Sequence, residues 1–112
     1  MVSPSVGSVV LVRFPFSDLS ASKLRPAVVL AGVDRDDWIL CQVTSNAYSD
    51  AQAVELTESD FVSGSLMRTS YARPGKLFSA NTSLMQRVVG ALSAPRQRAV
   101  VDAVVTILRQ EP

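Results

Sequence analysis

The stretch Lys23-Leu24-Arg25-Pro26-Ala27-Val28-Val29-Leu30, followed after a polar turn by Trp38-Ile39-Leu40-Cys41-Gln42-Val43-Thr44, reads as two strands of a β-hairpin. Proline biases the residue before it toward extended geometry and is tolerated at the start of a strand. Arg25 is therefore expected to end a loop and open a strand, a cation held at a sheet edge with little backbone freedom. The segment Gly32-Val33-Asp34-Arg35-Asp36-Asp37 supplies the turn. Centring it between Asp34 and Arg35 sets Pro26 opposite Val43, Val28 opposite Cys41 and Leu30 opposite Ile39. All of these are apolar, and a one-residue slip mixes the faces, so this register is favoured. The other face then pairs Ala27 with Gln42, Val29 with Leu40 and Arg25 with Thr44, and is expected to be the less buried one.

A guanidinium beside a hydroxyl suits a phosphate or its transition state, because the planar fork supplies charged donors and the hydroxyl adds another. The same residues have plain structural uses: Arg25 capping a strand end or pairing with Asp18, Thr44 as a strand former.

Outward from the hairpin, residues 8–14 read as a first strand between Gly7 and Pro15, and 17–23 as a polar loop. The second strand spans about 25–31, the third 38–44 and a shorter fourth 51–56. Thr57-Glu58-Ser59-Asp60-Phe61 looks like a capped turn leading to Gly64. Two strands at 67–72 and 76–80 are separated by Pro74-Gly75, and 87–92 is the last. The period then changes: Ser93 suits an N-cap, Pro95 the first turn, and Ala99, Val100, Ala103, Val104, Ile107 and Leu108 form one helical stripe. The expected fold class is mainly β, a small barrel or sandwich with a C-terminal α-helix closing one end, as a single domain over 1–112.

Composition narrows the chemistry. The chain has no histidine, which removes Ser-His-Asp and Cys-His nucleophiles, histidine acid–base pairs and most zinc sites. No metal or cofactor is expected. Cys41 is the one cysteine, falls on the predicted core face, and fits a reducing cytoplasm. No signal segment or apolar run of membrane-spanning length is seen. The net charge is +1, but residues 61–101 carry no acidic side chain while Arg68, Arg73, Lys76, Arg87, Arg96 and Arg98 are basic. An electropositive surface or an ordinary solvated one fits that asymmetry.

At these residues the chain resembles the MazF/PemK family of toxin endoribonucleases from type II toxin–antitoxin systems. The matching pieces are residues 7–16, Arg25-Pro26-Ala27-Val28-Val29-Leu30, Val43-Thr44-Ser45, residues 70–81, and Val89-Gly90-Ala91-Leu92 before the helix, together covering a core of about 6–110. The resemblance implies an SH3-like barrel, a homodimer and a cognate antitoxin that occupies the RNA groove. It also implies metal-independent cleavage of single-stranded RNA (mRNA) at short preferred sequences, leaving 2′,3′-cyclic phosphate and 5′-hydroxyl ends. The family's active arginine and threonine fall on Arg25 and Thr44. Where many members carry a Gly-Ser-Glu-Gln loop, this chain has Ser17-Asp18-Leu19-Ser20-Ala21-Ser22, and Ser79-Ala80-Asn81 replaces a frequent Thr-Ile-Asp.

Further RNA contacts are expected from Phe16, Ser17 and Asp18 in the loop before Arg25, from Ser45 and Asn46 after Thr44, and from Ser70, Arg73 and Lys76 in the acid-free half. Each also has an ordinary reading: Phe16 as core, Ser45 and Asn46 as a turn, the others as solvated surface. Trp38 is read on the outer face, as a dimer contact or nucleobase platform. The alternative function is a non-catalytic barrel toxin or interaction module that binds a protein target such as DNA gyrase.

Overall fold

The computed structural model describes residues 2–13 and 23–112. Seven strands form one antiparallel sheet: β1 Ser8–Arg13, β2 Leu24–Asp34, β3 Asp37–Thr44, β4 Val54–Leu56, β5 Phe61–Gly64, β6 Ser70–Asn81 and β7 Met85–Leu92. Their order across the sheet is β4-β6-β3-β2-β1-β7-β5. The sheet curls into a half-barrel, and helix α1, Ala94–Leu108, packs against β6 and β4. Short 3-10 helices at Glu58–Asp60 and Thr82–Leu84 precede β5 and β7.

The central hairpin follows the expected register where burial dictates it: Ala27 faces Gln42, Val28 faces Cys41 and Val29 faces Leu40. Nearer the turn it departs, with Ile39 opposite Ala31 rather than Leu30, and Asp34 opposite Asp37. The turn is thus Arg35-Asp36, one residue later than the symmetric reading. Two irregularities in the β2–β3 pairing reconcile the local turn with the buried body of the hairpin. Pro26 lacks an N–H and pairs with Leu11 of β1, outside the β2–β3 ladder, which begins at Ala27.

Both faces of the hairpin are buried, which corrects the expectation of one core side and one open side. Val9, Val28, Cys41, Val43, Leu56, Ala72, Leu92 and Val100 form one cluster. Val10, Val12, Ala27, Val29, Leu40, Ala80 and Met85 form the second on the opposite face, with Val2, Trp38, Phe78 and Leu84 packed against it. Trp38 is accordingly half-buried against Gly32, with no open ring standing out in solvent. Alternation along one hairpin cannot register this, because Ala27, Val29 and Leu40 are as apolar as their neighbours on the other face.

Residues 70–81 form one strand, where the sequence suggests two separated by Pro74-Gly75. The step from Cys41–Leu77 to Val43–Ala72 pairing shows that the Pro-Gly segment is absorbed as a bulge within β6. Pro74 is fully buried, and the Cys41 thiol donates to the Arg73 carbonyl at 3.1 Å, occupying an acceptor beside the bulge. Burial pushes that thiol up to about 12, so Cys41 is an inert core group.

The sequence reading has no strand at 61–64, yet β5 pairs with the end of β7. Four residues are too few to show a period, and the pairing with β7 brings Gly64, at φ +66°, so close to the Val89 carbonyl that a Cβ would not fit. β4 is shorter than expected because Ala51 and Gln52 belong to a turn. At α1, Ser93 accepts the Arg96 amide and Val100 and Val104 are buried, as the stripe suggests. Leu108, at the end of that stripe, is exposed, and Gln97 is buried instead, its amide donating to the Val29 carbonyl at 3.4 Å. Among the described residues no helix is long and apolar enough to cross a membrane.

Candidate nucleic-acid site

Beyond the last pair of the β2–β3 ladder, the start of β2 and the end of β3 flank a hollow of about 330 Å³. Leu24, Arg25 and Pro26 line it from β2, and Val43, Thr44 and Ser45 from β3. Tyr48 and the segment before β6, through Leu66, Arg68 and Ser70, complete it. Arg25 pairs across β1 with Val12, and Thr44 across β6 with Tyr71, so each strand end is held by an outer neighbour while the space between them is open. Among the described residues the lining contains two arginines and no carboxylate. A second hollow of about 370 Å³, near the β2–β3 turn, is lined by Asp36, Asn81, Ser83 and others but by no cation. An anion is therefore favoured at the first hollow and not at the second.

Arg25 is half-buried and forms no ion pair with another described residue. Thr44 Oγ1 accepts the Asn46 amide at 3.2 Å. Because that bond uses a lone pair, the hydroxyl proton is left to donate to an oxyanion. Asn46 in turn accepts the Tyr48 amide through its side chain at 2.9 Å, so the loop after β3 is tied together residue by residue.

Of the residues expected from sequence, the structure brings Arg25, Thr44, Ser45 and Ser70 to this hollow. Asn46 lies beside it as a turn former. Arg73 does not line it: its Nε binds Asp50 at 3.0 Å and its guanidinium carbon lies 5.6 Å from the Tyr48 ring centre. Lys76 also lies outside, next to Gly75, over which Ile107 of α1 packs. Phe16, Ser17 and Asp18 fall outside the described residues. Sequence reasoning missed Tyr48, Leu66 and Arg68. Arg68 was visible only as one charge in the acid-free half, and nothing local marks Tyr48, which the sheet brings beside β6.

Two ion pairs are found among the described residues. The Arg73 guanidinium and then the Gln52 amide hold the Asp50 carboxyl below its usual range. Burial pushes Asp60 up, but bonds from the Thr57 amide and hydroxyl and the Arg96 charge outweigh it, so it too is lowered. Arg96 Nε meets Asp60 at 3.1 Å, tying α1 to the turn before β5. A carboxyl whose folded value is depressed contributes stability above its unfolded value, about 3.9, and loses it as pH falls through the folded value. The urea midpoint should therefore fall below about pH 4, and Asp60→Asn should flatten that fall. An unchanged pH profile in the variant would remove Asp60 from the acid response.

The described residues thus form a curled antiparallel sheet with a terminal helix and a cationic hollow at its strand ends. The family profile of PemK-like, MazF-like toxins of type II toxin-antitoxin systems matches residues 5–108, and the chain belongs to that family. An endoribonuclease from a mycobacterial species, solved with its cognate antitoxin, aligns at a TM-score of 0.73 and 14% identity, covering 98% of this chain and 100% of that one. A Deinococcus radiodurans MazE-MazF structure aligns at 0.74 and 22% identity, over 96% and 97% of the two chains. The Mycobacterium tuberculosis toxin MazF-mt6 aligns at 0.70 and 13% identity, over 94% and 99%. At these identities the likeness is one of fold. No curated protein sequence matches the chain significantly.

Proposed function

We propose that this toxin is a metal-independent endoribonuclease acting on single-stranded RNA, with Arg25 and Thr44 as its catalytic residues. The observation that carries the reading is the shared hollow: a guanidinium and an oriented hydroxyl on two strand ends, with a second arginine and, among the described residues, no carboxylate in the lining. RNA brings its own nucleophile. The 2′-hydroxyl oxygen bonds to the adjacent phosphorus, the bond from phosphorus to the 5′ oxygen breaks, and a 2′,3′-cyclic phosphate and a 5′-hydroxyl result. Arg25 clamps the non-bridging oxygens as charge develops and protonates the leaving oxygen, recovering its proton from solvent. Arginine stays protonated at neutral pH, so a water takes the proton of the 2′-hydroxyl. Thr44 donates to the charged phosphorane.

The working form is a homodimer, and a cognate antitoxin competes with RNA for the hollow. Incubating the purified chain with mixed-sequence RNA in EDTA tests the proposal. New 5′-hydroxyl ends should appear at a short recurring sequence, readable by sequencing those ends. Cleavage abolished by chelation means a metal enzyme, and RNA left intact under both conditions means a toxin that binds without cutting.

A further inference from the structure

We propose that Tyr48 is the platform on which a nucleobase of the bound strand stacks, and that Arg73 and Asp50 hold it in place. This rests on the nuclease reading and extends it to a residue that the strand pattern does not single out. Tyr48 lines the same hollow as Arg25 and Thr44, and 64% of its surface is exposed. It belongs to neither core cluster, so packing does not account for its position.

Its backbone is unusual. Tyr48 sits at φ +53° and Ser49 at +62°, in the left-handed region that residues with side chains rarely adopt and keep only where their surroundings over-determine it. The surroundings do so here. Asn46 Oδ1 accepts the Tyr48 amide at 2.9 Å, the Ala47 carbonyl accepts the Asp50 amide at 2.9 Å, and the Asp50 carboxylate binds Arg73 Nε at 3.0 Å. The Arg73 guanidinium then lies over the Tyr48 ring. One side of the ring rests on a cation fixed to β6, and the exposed remainder of the residue faces the hollow.

A flat, rigid ring beside a phosphate-binding pair is what a base needs, because every base has a π-face and stacking tolerates sequence. The ring is already ordered before RNA arrives, so little entropy is lost on binding. On this reading Arg73 is a positioning residue, not a phosphate contact. That distinguishes it from the general expectation that basic residues of this half track the RNA backbone.

The test uses an oligoribonucleotide containing the cut sequence, made uncleavable by a 2′-deoxy sugar at the scissile position and carrying 2-aminopurine beside it. Binding to the native chain should quench the 2-aminopurine. Tyr48→Phe should keep the quench, since it keeps the ring. Tyr48→Ala should lose it and raise KM for RNA roughly 5- to 150-fold with little change in kcat, the span expected for one lost stacking contact. Arg73→Met should weaken binding and quench while leaving the salt dependence unchanged; a slope smaller by about 0.7 would mean a phosphate contact instead. Full quench and unaltered KM in Tyr48→Ala overturn the inference, as does loss of quench in Tyr48→Phe, which would assign the effect to the hydroxyl. If the native chain cuts no RNA at all, the nuclease reading fails and this one falls with it.

Discussion

Arg25→Ala should lose cleavage of single-stranded RNA by at least about 10²–10³-fold while keeping its fold, the cost of removing a preorganised donor from developing charge. Arg25 pairs with no carboxylate among the described residues, so truncating it leaves none of those uncompensated. Its strand is held by Pro26 and by the ladders to β1 and β3, none of which uses the guanidinium. The free energy of unfolding from urea titration should accordingly stay within about 0.5 kcal/mol of the native value, as for surface substitutions generally. Arg25→Lys retains the charge but not the fork, and should recover only part of the rate because one ammonium cannot bind two phosphate oxygens in parallel. Initial rates on a defined oligoribonucleotide decide the matter. A variant that cuts as fast as the native chain would take Arg25 out of the mechanism.

The second large effect concerns stability. Leu40→Ala should cost about 2–5 kcal/mol, a large share of the 5–15 kcal/mol by which domains are usually stable. Leu40 is 0% exposed and lies in the second cluster beside Val10, Val12 and Val29, with Ala80 and Met85 from β6 and β7. The walls of that space are backbone ladders on β1, β2 and β6, so they cannot collapse to fill the cavity. The thermal midpoint should drop by more than about 10 °C for a domain of this size. A loss under about 1 kcal/mol would mean that this face is less well packed than the other, as the hairpin pattern taken alone suggests.

That contrast marks the boundary between what residues disclose and what assembly adds. The hairpin body was legible because a one-residue slip would set Val28 opposite Gln42 or Leu40 and mix the faces, and the structure keeps Val28 opposite Cys41. Arg25 and Thr44 lie beyond the last pair of that ladder, in line with its register, and both line one hollow. Ser93, Pro95 and the apolar stripe disclosed the helix, because capping and period are local properties. Pro74-Gly75 misled, since the same dipeptide that ends one strand can bulge another when a buried neighbour such as Cys41 satisfies the freed carbonyl. β5 was invisible because its reason to exist is β7, distant in sequence.

By itself, then, the sequence determined a mainly β chain with a terminal helix, the core register of its central hairpin, and a chemistry without histidine. These follow from period, local capping and residue type, which need no partner. Only the tertiary structure decided that both faces of the hairpin are covered, that Arg73 is spent on Asp50 and Tyr48, and that Tyr48 joins Arg25 and Thr44 at one hollow. Those are contacts between segments far apart in the chain, and curling the sheet is what brings them within reach of one another.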